Sequence, residues 1–125
     1  MFTQLGQVML YVDNQDESVR FWTEKLGFVV VDEANDGMRW IEIAPSKEAE
    51  TTIVLHDKKK VAEMSPELNL DTPSLMFFTE DLNQLHEELK SKNVKVGKIV
   101  QMPIGKVFNF SDDEEHYFAV MEGSK

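Results

Sequence analysis

The sequence contains no cysteine, which excludes a disulfide framework, a thiolate nucleophile and any Cys-ligated zinc. A metal ion, if one is held, must rely on His, Glu, Asp or Gln. Histidine is itself scarce, at three residues, and no two of them stand at metal-motif spacing. No apolar run approaches the ~20 residues needed to cross a bilayer. The opening Met1-Phe2-Thr3-Gln4 has neither the positive charge nor the apolar stretch of a signal peptide. A soluble, cytoplasmic protein is the expectation. Basic residues are also in short supply: 13 Lys and Arg against 23 Asp and Glu leave a net charge of −10. Such a surface repels phosphate backbones and anionic lipid, so neither nucleic acid nor membrane is expected as a partner. A cationic ligand would be attracted over long range, although acidity also serves solubility alone. The Lys58-Lys59-Lys60 run reads as a solvated turn.

What is present is an internal repeat, which constrains architecture more than any single motif. Val8, Leu10 and Val12 alternate as a strand with one buried face requires, and Val19, Trp22 and Leu26 follow at helical spacing. In the second half Leu75, Phe77 and Thr79 repeat the alternation and Leu82, Leu85 and Leu89 repeat the stripe, each 63 residues after its counterpart. The strands are offset by 67 residues, Val8 to Leu75, so the first half carries a longer turn, assigned to the polar Asp13-Asn14-Gln15-Asp16 stretch, whose side chains suit capping. Gly27 and Asn93 stop the two helices. Further strands are expected at Phe28 to Val31, Met38 to Ala44 and Thr51 to Asp57, then at Val94 to Val96, Val107 to Phe110 and His116 to Glu122. The fold class is therefore α+β, built as β-α-β-β-β twice. At 125 residues the chain suffices for one well-buried core, and neither half would be comfortable alone. A single domain over 1–125 is expected, with module one at about 5–57, a polar linker at about 58–72 with a helical turn near Val61 to Met64, and module two at about 73–122.

This tandem pattern, over nearly the whole chain, resembles the vicinal-oxygen-chelate superfamily of glyoxalase I, extradiol dioxygenases, fosfomycin-resistance enzymes and bleomycin-binding proteins. Gln7 to Val12, followed by Ser18-Val19-Arg20-Phe21-Trp22-Thr23-Glu24-Lys25-Leu26-Gly27-Phe28, is similar to the family's opening strand and the "FY...LGF" end of its helix. Phe110 to Glu122 is similar to its closing "F-x-D-P-D-G-N-x-x-E-L-x-E" hairpin, with Asp113 where the family has Pro and Glu115 where it has Gly. The resemblance implies two βαβββ modules forming a curled mixed sheet around a cleft, commonly in a homodimer. It also implies four metal ligands, one from the first and one from the last strand of each module. These positions fall on Gln7, on Leu55 (or on His56 if shifted by one), on Ser74 and on Ala119. Only Gln7 survives clearly. Leucine and alanine carry no lone pair to give, and one neutral amide holds Zn²⁺, Ni²⁺, Mn²⁺ or Fe²⁺ poorly. No cofactor is expected, and chelation of a substrate's adjacent oxygens loses its Lewis acid.

Alternation sends Gln7, Met9 and Tyr11 toward the cleft, with Ser74, Met76 and Phe78 in the corresponding places of module two, and Ile53, Leu55, Tyr117, Ala119 and Met121 complete the set. Such a lining, apolar, aromatic and rich in methionine, suits a small-molecule pocket; equally, it would fill the cleft as a second core. Trp40 and Glu42 would also face the cleft, where a carboxylate beside an indole suits a cation, and Glu42 would serve as a general base if not simply exposed. His56 is the histidine suited to act as ligand or base. His86 lies off the leucine stripe and reads as solvated, His116 as a support for the hairpin, and Asp112 to Glu115 as a solvated turn. Two classes of function compete. One is a metal-free protein enclosing a small, partly apolar molecule; the other is a lyase-type or dioxygenase-type enzyme with a rebuilt divalent-metal site using Gln7, Glu42 and His56. A protein-interaction role without ligand is a third.

Overall fold

The computed structural model describes residues 1–123. The chain divides into two compact units, Met1–Pro73 and Ser74–Lys125, and each holds a four-stranded mixed sheet with helices. The first unit runs β1 (Gln7–Val12), α1 (Gln15–Glu24), β2 (Val29–Asn35), β3 (Arg39–Ala44), β4 (Thr52–Asp57) and α2 (Lys58–Met64). Its strands lie in the order β1-β4-β3-β2, with β1 and β4 parallel and the other pairs antiparallel.

Each element follows from local chemistry. Asn14 caps α1 by accepting the Glu17 N–H at 3.0 Å, and Asp16 and Glu17 place negative charge at the positive end of the helix dipole. The helix ends at Glu24, earlier than Leu26. Across Gly27, at φ 78°, the Phe28 N–H returns to the Trp22 carbonyl at 3.0 Å, a left-handed closure that costs glycine nothing. Trp22 and Ser18 are completely buried, and the Trp22 indole meets the Phe28 ring edge-on at 5.0 Å. The Gln15 amide nitrogen donates to the carbonyls of Arg39 and Leu55, at 2.8 and 2.9 Å, tying the start of α1 to β3 and β4. Lys58-Lys59-Lys60 is not a turn but the first turn of α2, because the Asp57 carboxylate caps the N–H groups of Lys59 and Lys60.

The second unit repeats the plan as β5 (Met76–Thr79), α3 (Leu82–Ser91), β6 (Val100–Met102), β7 (Gly105–Ser111) and β8 (Tyr117–Glu122), in the order β5-β8-β7-β6. Asp81 caps α3 through the Gln84 N–H at 3.1 Å, and the Glu122 carboxylate takes the Leu82 N–H at 3.0 Å. Leu82 and Leu89 of α3 are buried, as are Phe108, Phe110, Phe118 and Val120 of the sheet. The strand expected at Val94 to Val96 is reduced to one bridge, Val96 to Phe110, and regular pairing begins only at Val100. Asn93, at φ 65°, closes α3, and beyond it the Gly97 carbonyl turns to His86 Nε2 at 2.8 Å. His86 is accordingly not solvated: it is half-buried, with its ring edge-on to Phe108 at 4.9 Å.

The acidic hairpin between β7 and β8 also differs from a solvated turn. Asp112 is buried; its Oδ1 accepts the N–H groups of Glu114 and His116, both at 2.9 Å, and its Oδ2 meets His116 Nδ1 at 2.8 Å. These bonds hold Glu115 at φ 63°, a left-handed conformation that costs a non-glycine residue roughly 1 kcal/mol or more. Replacing Glu115 by Gly should therefore stabilise the protein by roughly 0.5–1 kcal/mol, whereas Asp112→Ala should cost about 2–3 kcal/mol by stranding the hairpin's donors. Urea unfolding midpoints of the two variants check both signs.

Candidate functional site

Backbone register assigns each side chain of the first unit to a face. Leu10, Leu55 and Ile41 are paired across β1, β4 and β3, as are Val8, Ile53 and Ile43, and residues directly opposite in a sheet share a face. Leu55, Leu10, Ile41 and Ile43 are buried at 0–1 % exposure and Ile53 at 5 %. Leu55 and Ile53 thus belong to the core beneath α1 and not to the open face, which corrects the expectation. The intervening residues Thr52, Val54 and His56 take their place, opposite Gln7, Met9 and Tyr11 on β1, with Glu42 and Trp40 beside them on β3. Central strand β4 is apolar on both sides, so alternation could not distinguish its faces. Only its pairing partners do.

One end of this face is polar. A groove of about 650 Å³ is bordered by Gln4, Gln7, Asp32, Glu42, Lys47 and Glu50, with Thr52 in its wall. Three carboxylates meet one ammonium there. Thr52, 7 % exposed, donates its hydroxyl to Glu42 Oε2 at 2.6 Å, which fixes the carboxylate toward β4. Asp32 and Lys47 were not legible as site residues, since neither lies on a strand whose face alternation settles.

The other end is apolar. A pocket of about 230 Å³ lies between Tyr11, Met38 and His56 and the residues of α2 and its exit, Val61, Met64, Ser65 and Leu68. His56 stacks on Tyr11, with centroids 5.8 Å apart and rings inclined by 25°, and its Nε2 lies 3.1 Å from Met9 Sδ. Its Nδ1 is sealed from solvent without a hydrogen-bond partner among the described residues. Burial lowers the His56 pKa below its ordinary 6.5, so the ring is neutral at pH 7. In the second unit, register brings Met76, Ala119 and Asn109 together, then Phe78, Met121 and Val107. Met76, Phe78 and Tyr117 are 44–53 % exposed, and Lys95 Nζ donates to the Tyr117 hydroxyl at 2.9 Å. Ser74 precedes β5 and is exposed.

Gln7 and His56 cannot share a divalent ion. Gln7 has Thr52 opposite and Val54 two positions on, neither a carboxylate, while His56 stands four positions from Thr52 along β4. At about 3.3 Å per residue that separates Gln7 and His56 by roughly 13 Å, far beyond the span of two ligands at ~2.1 Å from one ion. Ala119 offers no donor in the second unit. Among the described residues no group of three or more His, Cys, Asp or Glu side chains could hold a metal ion. No helix among them is long and apolar enough to cross a membrane.

His56 and His116 should titrate in opposite directions. The hydrogen bond to Asp112, with the charges of Asp112, Glu114 and Asp113, raises the His116 pKa above 6.5 against the opposing effect of burial. A raised pKa in the folded state stabilises below the unfolded value, and that stabilisation fades as pH rises through the folded value; the lowered pKa of His56 stabilises above the unfolded value and is lost on acidification. In an NMR titration the His116 midpoint should lie above 6.5 and that of His56 below it. His116→Asn should remove the first contribution to the stability profile without touching the second.

Comparison with known proteins agrees with this architecture. The family model described as Glyoxalase/Bleomycin resistance protein/Dioxygenase superfamily matches residues 4–120. The uncharacterized protein YetH of Bacillus subtilis strain 168 is 34% identical over 125 residues, covering 98% of this chain and all of that one. Among solved structures, TnmS3, an antibiotic binding protein from Streptomyces sp. CB03234, superposes with a TM-score of 0.83 at 23% identity, covering 98% of each chain. Lactoylglutathione lyase from Agrobacterium tumefaciens superposes with a TM-score of 0.76 at 14% identity, covering 97% of this chain and 94% of that one. With its tandem mixed sheets and a family match spanning both units, the chain belongs to the glyoxalase, bleomycin resistance protein and dioxygenase superfamily.

Proposed function

We propose that this protein binds a small, partly apolar, cationic molecule without a metal ion. The observation that carries the reading is the polarity of one sheet face: a carboxylate-rich groove at its Gln7 end and an apolar, aromatic pocket at its Tyr11 end. The ends lie roughly 13 Å apart along β1, the reach of a fused-ring molecule bearing an amine. Glu42, held by Thr52, offers a fixed anion, and Trp40 on the same face offers an indole to a cation. The acidity of the whole chain would draw such a ligand in. The fold is shared with TnmS3, an antibiotic binding protein, which supports a small-molecule ligand. The donor set supports independence from metal, because Gln7 and His56 are too far apart to share an ion. A homodimer in the cytoplasm completes the proposal.

Fluorescence anisotropy with rhodamine 6G, a cationic fused-ring dye, against fluorescein, an anionic one, tests it. Rhodamine 6G should bind saturably and equally well with or without a chelator, and Glu42→Gln should weaken it about tenfold, the value of one charge-assisted contact. Equal binding of fluorescein, indifference to Glu42→Gln, or binding that requires added Ni²⁺, Zn²⁺, Mn²⁺ or Fe²⁺ would count against the reading.

A further inference from the structure

The apolar pocket contains one polar demand, and the chemistry of its neighbours specifies the sign of that demand. A thioether sulfur accepts hydrogen bonds and cannot donate them. The 3.1 Å approach of His56 Nε2 to Met9 Sδ therefore requires the proton on Nε2. Burial disfavours the doubly protonated ring, so Nδ1 carries a bare lone pair. That lone pair has no partner among the described residues and no contact with solvent. Tyr11 and Ser65, the other polar side chains of the lining, have hydroxyls that both give and accept, and so discriminate little. Nδ1 can only accept.

We propose that the pocket between α2 and the ends of β1 and β4 is a subsite for a flat apolar group carrying a single O–H or N–H donor, which His56 Nδ1 receives. This rests on the small-molecule reading above and specifies the chemistry of the ligand's apolar end. The stacked pair of Tyr11 and His56 offers aromatic surface to a further ring, and the pocket's volume of about 230 Å³ suits one or two fused rings. Reaching Nδ1 requires a side chain of the wall to yield. Met64 and Leu68 of the same lining, 71 % and 48 % exposed, are the side chains with most freedom to do so.

The probes are 2-naphthol and 2-methoxynaphthalene, which share ring and size and differ in the donor. Each would be titrated into the uniformly ¹⁵N-labelled full chain, following backbone amides and the His56 ring nitrogens. The expected result is that 2-naphthol perturbs Val61, Ser65 and Leu68, moves the Nδ1 resonance, and binds at least tenfold more tightly than its methyl ether. His56→Phe should erase that preference, and Leu68→Trp, at a half-exposed position tolerant of change, should exclude both probes. Equal affinity of the two probes would overturn the inference, as would perturbations confined to Gln7, Glu42 and Thr52 or a preference that survives His56→Phe. If neither naphthalene binds while rhodamine 6G does, this inference falls and the proposed function stands; if none of the three binds, both fall.

Discussion

The register of β4 is the constraint on which the first unit depends. Thr52 to Asp57 lie between a parallel partner, β1, and an antiparallel one, β3, and all but the last two residues are buried. A slip by one residue would exchange Leu55 and Ile53 for Val54 and His56 on the core face, placing an imidazole under α1 and a leucine in the site. The slip is opposed from both sides. Gln15 donates to the Leu55 carbonyl from the helix end, and Thr52 Oγ1 reaches Glu42 across the sheet. The bonds that fix the fold therefore also aim the polar groups of the open face.

The second unit solves a different problem with a similar economy. Where the superfamily's closing hairpin has Gly, this chain has Glu115, and the left-handed turn survives because Asp112 accepts two backbone donors and one imidazole donor on its two oxygens. A buried carboxylate without such bonds would be costly. With them it fixes a conformation that the residue at the apex would not choose alone. Strain and satisfaction sit within four residues of each other.

Much of this was legible in the amino-acid sequence. The repeat of Val19, Trp22 and Leu26 by Leu82, Leu85 and Leu89 announced two equivalent helices, and the alternation of β1 and β3 matches the burial of Leu10, Val12, Ile41 and Ile43, because each of those strands has one side in the core. β4 was not legible: a central strand buried on both sides carries no period-two signal, and Leu55 was placed on the wrong face for that reason. The edge strand at Val100 to Met102 was obscured because every one of its side chains is exposed. His86 and Asp112 escaped because their partners, the Gly97 carbonyl and the backbone of residues 114–116, are not encoded as side-chain patterns. The polar groove was missed for a similar cause, since Lys47 and Glu50 reach it from the β3–β4 connection and not from a periodic element.

One consequence follows from the composition of α2. Its seven residues present three consecutive ammonium groups at the end of the helix where the dipole is already positive, and the Asp57 carboxylate is the cap that offsets them. Val61 is the one residue of the helix that is buried. Little apolar area would therefore be exposed by fraying α2, and the charges of the lysines would be relieved by it. Hydrogen exchange would see this helix open at a lower free energy than the strands it leans on. The α2 wall of the apolar pocket is therefore the element of its unit expected to fray first.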